Sequence, residues 1–309
     1  MILIILLAFA ALYIYMICPR VINRPDITKF KKRHYAHRGL HDNRTSAPEN
    51  SLEAFRLAVE AGYGIEMDVQ LTKDNIPVVF HDKTLKRLCG KDGYVWDYTL
   101  EELQQNRLAD SKEKIPTFKE VLDLVDGKVP LIIEYKMDRP TTKVCEIGDQ
   151  LLKDYNGVYC IESFHPKAVR WYRKHRPEIV RGQLSMDFSK DEKYNAPYFV
   201  VMTYLLSNFI TRPDFIAYNH KDEHILSRRL CKKLGGLSVA YTIKNQESYE
   251  FHIEKVKVIK DKDFYVINAK TDEKDYLKNF ITKQPTIKCL EAWFEGVVKG
   301  VCKPRIMYG

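Results

Sequence analysis

The sequence lacks most of the patterns that announce a function directly. Its seven cysteines, Cys18, Cys89, Cys145, Cys160, Cys231, Cys289 and Cys302, are odd in number and none stand in a CxxC spacing. An odd, scattered set fits neither a disulfide framework nor a structural zinc site, whose ligands come at short fixed spacings. Scattered cysteines with mostly apolar neighbours suit a reducing compartment. No glycine-rich dinucleotide fingerprint follows the first strand, which argues against an open nucleotide-binding sheet. Internal repeats and low-complexity stretches are missing as well. There is no helix-turn-helix, zinc-finger or aromatic RNA-binding pattern, so no nucleic-acid partner is expected. The formal net charge of +9 points instead to an anionic membrane surface or a phosphorylated substrate.

Charge is also missing from the first seventeen residues, MILIILLAFAALYIYMI. A signal peptide needs a basic start and small residues before its cleavage site, and neither is here: Tyr15, Met16 and Ile17 precede Cys18. Basic residues follow the apolar run at Arg20, Arg24, Lys29, Lys31, Lys32 and Arg33. The pattern predicts a single uncleaved N-terminal transmembrane helix over residues 1–18 and a basic linker over 19–33. By the positive-inside rule, the rest of the chain is expected in the cytoplasm.

What remains is globular in composition, 45% hydrophobic and 29% charged. From His34 onward short apolar strands alternate with amphipathic helical patterns. Strands are predicted at 35–36, 64–70, 77–80, 130–135, 158–163, 180–184, 214–217, 237–243 and 264–267. Asn50 is read as the cap of a helix burying Leu52, Phe55, Leu57 and Ala58, and Pro116-Thr117-Phe118 opens another. Further helices are predicted over 143–155, 166–175, 225–234 and 246–258. Regular βα alternation of this size predicts a (β/α)8 TIM barrel over residues 34–285. Residues 286–309 are read as an amphipathic tail, whose stripe Leu290, Trp293, Phe294, Val297, Val298 and Val301 suits either a barrel-closing helix or an interfacial one.

In such a barrel the chemistry gathers where strands end. The stretch AHRGLHDNRTSAPENSLEAF puts His37 and Arg38 at the end of the first strand. In Ile65-Glu66-Met67-Asp68-Val69 the two carboxylates are two residues apart and face the same way. Side by side and buried they repel, and a hard divalent cation, Mg2+ or Ca2+, resolves that conflict. Val78-Val79-Phe80 ends in His81-Asp82. Leu131-Ile132-Ile133 ends in Glu134 and Lys136, a third carboxylate beside a cation. Two histidines, three carboxylates, an arginine and a lysine thus fall at or near the ends of four successive strands.

His37-Arg38-Gly39, Pro48-Glu49-Asn50-Ser51, Glu66-x-Asp68, Thr72-Lys73-Asp74, His81-Asp82 and Glu134-x-Lys136 together resemble the glycerophosphodiester phosphodiesterase family. The likeness is densest from residue 35 to about 136 and continues through Ser163-Phe164 and Tyr241-Thr242-Ile243. It implies a TIM barrel with a small insertion after the second βα region, at about 83–110. It further implies a divalent metal, Mg2+ or Ca2+, on Glu66, Asp68 and Glu134, with His37 and His81 as acid and base. Arg38 and Lys136 would hold the phosphate, and the reaction would release glycerol 3-phosphate and an alcohol. Tyr241 stands where the family often has tryptophan, and the 264–269 region lacks the family's usual glycine-rich approach and acidic ending. Two other functions fit the same residues: a lysophospholipase D-like activity on membrane lysolipids, and a non-catalytic phosphate-binding barrel. The expected partners are a glycerophosphodiester or lysophospholipid substrate and a membrane, reached through the N-terminal helix.

Overall fold

β1 (His34–His37) pairs in parallel with β2 (Gly64–Leu71), and the pairing continues around a ring through β4 (Leu131–Tyr135), β5 (Tyr159–Ser163), β6 (Arg181–Ser185), β7 (Phe215–Asn219), β8 (Leu237–Ile243) and β9 (Phe264–Ile267). β9 pairs with β8 on one side and β1 on the other, so the ring returns to its start. β3 (Pro77–Val79) is the exception, antiparallel to β2. The computed structural model describes residues 1–243 and 264–267, apart from Lys32, Asp138, Pro140, Asn195 and Glu223. The architecture is a parallel barrel consistent with the TIM class. The helix expected over 246–258 and the tail at 286–309 lie outside the described residues.

Several strands are apolar runs, Leu131-Ile132-Ile133 and Phe215-Ile216-Ala217 among them, and these are buried on both faces. Ile132, Cys160, Leu184, Phe215, Ala217, Leu237 and Val239 pack with Tyr35 into one core cluster. The helices between them start on identifiable caps. Thr117 and Glu120 form a capping box at the start of α5 (Phe118–Val125), and Pro166 occupies the first turn of α7 (Pro166–His175). α2 (Leu52–Glu60) is capped by Ser51, whose hydroxyl accepts from the Ala54 amide at 3.1 Å, and not by Asn50. Asn50 is in the left-handed region (φ +57) and its side chain is used elsewhere. α2 buries Ala54, Phe55 and Ala58, while Leu52 and Leu57 remain half-buried. The stretch 83–110 contains two short helices, α3 (Lys86–Cys89) and α4 (Leu100–Leu103), and two more, α8 (Pro197–Thr203) and α9 (Asn208–Thr211), follow β6. The remaining helices are α6 (Lys143–Leu152) and α10 (Leu226–Lys233).

The expected transmembrane anchor is corrected. Residues 1–18 form α1 (Ile2–Ile17), 16 residues long. At 1.5 Å per residue that is about 24 Å, short of the roughly 30 Å hydrocarbon core. No helix among the described residues is long and apolar enough to cross a membrane. The C-terminal end of α1 is engaged by the barrel. Asn208 donates to the Ile17 carbonyl at 2.9 Å, and Arg212 donates to those of Tyr15 and Cys18 at 3.0 and 2.7 Å. The stretch read as a linker likewise lies against the N-terminal end of the barrel. Phe30 joins the core cluster, and Arg20 reaches buried Asp214 at 3.7 Å.

Candidate active site

Where β1 ends, the chain must turn back over the barrel mouth within a few residues. Arg38 (φ +60) and Gly39 (φ +85) make that turn in the left-handed region. A side chain at Gly39 would meet the Ala54 backbone at 2.9 Å, so glycine is required there by both conformation and space. Arg38 pays for its unusual conformation with contacts on every side. Its amide donates to the Glu66 carbonyl at 2.9 Å, and its carbonyl accepts from the Asn50 amide at 2.9 Å. Its guanidinium donates to Glu49 at 2.8 Å and lies 3.3 Å from Asp68. The left-handed turn thus fixes one wall of a site.

The other wall is the row of strand ends on β2 and β4. The register sets Asp68 beside Glu134, with Glu66 on the same face two residues earlier. Ligand oxygens of Glu66, Asp68 and Glu134 all lie within 4.8 Å of one another, and all three side chains are buried. Lys136 bridges two of them, 2.8 Å from Asp68 and 2.7 Å from Glu134. Burial, together with the charges of Asp68 and Glu134, pushes the Glu66 carboxyl well above the usual carboxylate range. Asp68 is buried too, but Lys136, His81, Arg38 and His37 hold it well below that range. Burial raises Glu134, and Lys136 only partly offsets the effect. The cluster therefore holds more acid than its own cations satisfy. Three hard oxygen donors converging on one point, already attracting an ammonium group, suit a divalent cation.

Both sequence-predicted histidines reach this mouth. His37, with its Nε2 at 3.9 Å from Glu66, is kept far below the ordinary imidazole range by burial and by the Arg38 charge. His81 follows β3 and its Nδ1 lies 2.7 Å from Asp82. Arg87 of α3 donates to Asp82 at 2.6 Å and, through its other nitrogens, to both oxygens of Glu49 at 2.7 and 2.9 Å. Burial pushes Glu49 up, but hydrogen bonds from Arg87 and Asn43 and the charge of Arg38 bring it down to about 2.

The structure thus brings together all seven residues singled out from sequence. Four others that take part were missed or misread. Asn50 donates to Asp68 at 2.9 Å, orienting a carboxylate instead of capping a helix. Gln70, two residues after Asp68, donates to the carbonyls of Phe80 and Asp82 at 2.7 and 2.9 Å and so fixes the backbone around His81. Arg87 lies in the 83–110 stretch, where a basic residue looks like surface. Glu162 on β5 stands directly beside Glu134 in the register and is equally buried. Its signal was readable: Cys160-Ile161-Glu162 interrupts an apolar strand with a carboxylate just as Ile132-Ile133-Glu134 does.

Comparison with known proteins finds likenesses of both sequence and fold. Residues 37–259 match the model of the glycerophosphoryl diester phosphodiesterase family. Over 163 residues the chain is 36% identical to a glycerophosphodiester phosphodiesterase of Caldanaerobacter subterraneus subsp. tengcongensis, covering 48% of this chain and 65% of the relative. It is 40% identical over 159 residues to human glycerophosphodiester phosphodiesterase 1, covering 47% and 46%. These alignments span less than two-thirds of the relatives' own length. Among solved structures, the fold is similar to an Oleispira antarctica phosphodiesterase in complex with the product sn-glycerol-3-phosphate. That match has a TM-score of 0.62 and 21% identity, and covers 81% of this chain and 98% of the other. A glycerophosphodiester phosphodiesterase of Thermotoga maritima matches with a TM-score of 0.57 and 25% identity, covering 81% and 97%.

Proposed function

The chain belongs to the glycerophosphoryl diester phosphodiesterase family, a family of phosphoric diester hydrolases, and from that premise we propose that it hydrolyses glycerophosphodiesters to glycerol 3-phosphate and an alcohol. The observation that carries this reading is the convergence of two imidazoles on one carboxylate-lined mouth, since binding a phosphate alone needs no such pair. Glu66, Asp68 and Glu134 would hold Mg2+ or Ca2+, which when bound neutralises a phosphate oxygen and favours attack at phosphorus. Arg38 and Lys136 add fixed positive charge where the phosphate would sit. Burial and the Arg38 charge disfavour the protonated form of His37, which suits it to take the proton of the attacking oxygen. His81, oriented through Nδ1 by Asp82, is suited to give a proton to the departing alkoxide through its other nitrogen.

A second substrate class has its own support. Tyr198, Val200, Val201 and Tyr204 are exposed on α8 and at its end, in the segment that follows β6 on the catalytic face. Such an apolar rim suits a lysophospholipid chain. Assay of the full chain on glycerophosphocholine and lysophosphatidylcholine side by side, with and without EDTA, tests both. EDTA-sensitive release of glycerol 3-phosphate from the first is expected. Turnover of the second alone would favour the lipid substrate, and turnover of neither would leave a phosphate-binding barrel.

A further inference from the structure

Glu162 is unusual among the buried acids at the mouth. The register runs Asp68, Glu134, Glu162 across β2, β4 and β5, so the three side chains point into the barrel in one row. Adjacent strands lie about 4.8 Å apart, which puts Glu162 one strand beyond the candidate metal ligands. It is 3% exposed, against 3% for Glu66 and 6% for Glu134, so its burial is like that of the candidate ligands. Asp68 has Lys136, Arg38 and Asn50, and Glu134 has Lys136. Oε2 of Glu162 has no hydrogen-bond partner among the described residues. Such an oxygen is costly to bury unless something meets it.

The backbone around Glu162 is tightly held. Ser163 donates to the Tyr135 carbonyl at 2.7 Å, and Gln183 donates to the carbonyls of Ser163 and Phe164 at 3.0 and 3.1 Å. A carboxyl fixed on a strand reads a constant feature of a substrate better than a loop does. On the proposed reaction, the constant feature is the glyceryl limb, whose hydroxyls lie a few bonds from phosphorus, while the alcohol varies. A hydroxyl also matches a carboxyl in either protonation state, donating to the carboxylate or accepting from the acid.

We propose that Glu162 hydrogen-bonds a hydroxyl of the substrate's glyceryl limb and thereby selects glycerol-bearing diesters over diesters without hydroxyls. The inference rests on the hydrolytic reading above, and its test separates the two. Glycerophosphocholine is compared with n-propyl phosphocholine, the same diester without the two hydroxyls, on the full chain and on Glu162→Leu, with Glu162→Ala as the second variant should the first not fold. Sites built to bind a hydroxyl reject its absence strongly, so wild type should prefer glycerophosphocholine by about a hundredfold or more in kcat/KM. The variant should lose roughly thirtyfold or more on glycerophosphocholine and stay within about threefold on the propyl diester, and Glu162→Gln should recover most of the loss. An equal fall on both substrates, or no fall on either, overturns the proposal. A loss that instead tracks the ammonium group when glycerophosphoethanolamine replaces glycerophosphocholine also overturns it. If wild type hydrolyses neither diester, the hydrolytic reading fails. Calorimetry with sn-glycerol 3-phosphate against propyl phosphate then decides: a preference for the first that Glu162→Leu abolishes supports the assignment, and equal affinities refute it.

Discussion

At the N-terminal end of the barrel Asp214 is fully buried, and at the C-terminal end Asp68 is equally so, yet the two carboxylates have opposite surroundings. Asp214 accepts from the Arg181 amide at 3.1 Å and lies within 4 Å of both Arg181 and Arg20 guanidinium nitrogens. The surplus donors of Arg181 go to the carbonyls of Thr211 and Arg212 at 3.3 and 2.9 Å. At this end positive charge exceeds negative, and the backbone carbonyls ending α9 take up part of the excess. Around Asp68 the balance reverses: Glu134 and Glu162 crowd the same layer and Glu66 the adjacent one, with Lys136 and Arg38 as the cations bonded there. A buried cluster in which arginines outnumber the acid is architecture. One that leaves acid unmatched is built to receive something positive from outside.

This contrast can be broken from either end. The largest effect is expected at the mouth. His37→Ala and His81→Ala should each lower kcat by about 10²–10⁴-fold, the usual worth of one acid-base partner, with melting temperature unchanged within a few degrees. Activity within threefold of wild type at matched circular dichroism would remove that histidine from the chemistry. At the floor the signature should be inverted. Asp214→Ala leaves Arg181 without its buried partner and should cost about 3–5 kcal/mol in denaturant unfolding, while kcat of the folded fraction stays within about threefold. A large kcat loss with little destabilisation would contradict the division between the two ends.

A smaller effect sharpens the comparison within the mouth. Glu49 is depressed to about 2 from an ordinary 4.5, chiefly by Arg87 and Arg38 acting against its burial. A depressed carboxyl contributes stability above its unfolded value and loses it as pH falls through the folded one. The stability difference between wild type and Glu49→Gln should therefore be full above pH 4.5 and shrink by up to about 3 kcal/mol on acidification to pH 2. A difference that stays constant over that range would mean Glu49 gains nothing from Arg87.

The strands and the first row of the site were legible because polar residues there interrupt apolar runs at strand ends. Glu66-x-Asp68 and Glu134-x-Lys136 cannot be buried together without a shared reason. The floor was not legible, since Arg20 and Asp214 are joined only by the fold and each looks like surface charge. Asn50 was misread because asparagine caps helices well, and nothing local reveals that Ser51 takes that position while Asn50 serves Asp68. α1 was read from its apolar run and the basic residues after it, and neither reveals the barrel groups that engage its end. α8 and α9, seven and four residues long, are too short to carry a helical period.

The claim that unmatched carboxylates make the mouth a cation site is tested most directly by calorimetric titration of the metal-stripped full chain with Mg2+ and with Ca2+, paired with melting curves. We expect one divalent ion bound per chain and a melting temperature that rises with its concentration, both lost in Asp68→Asn and Glu134→Gln and both retained in a variant of an acid outside the cluster, Glu113→Gln. Absence of binding by either ion to wild type, or equal binding by wild type and Asp68→Asn, would contradict the account.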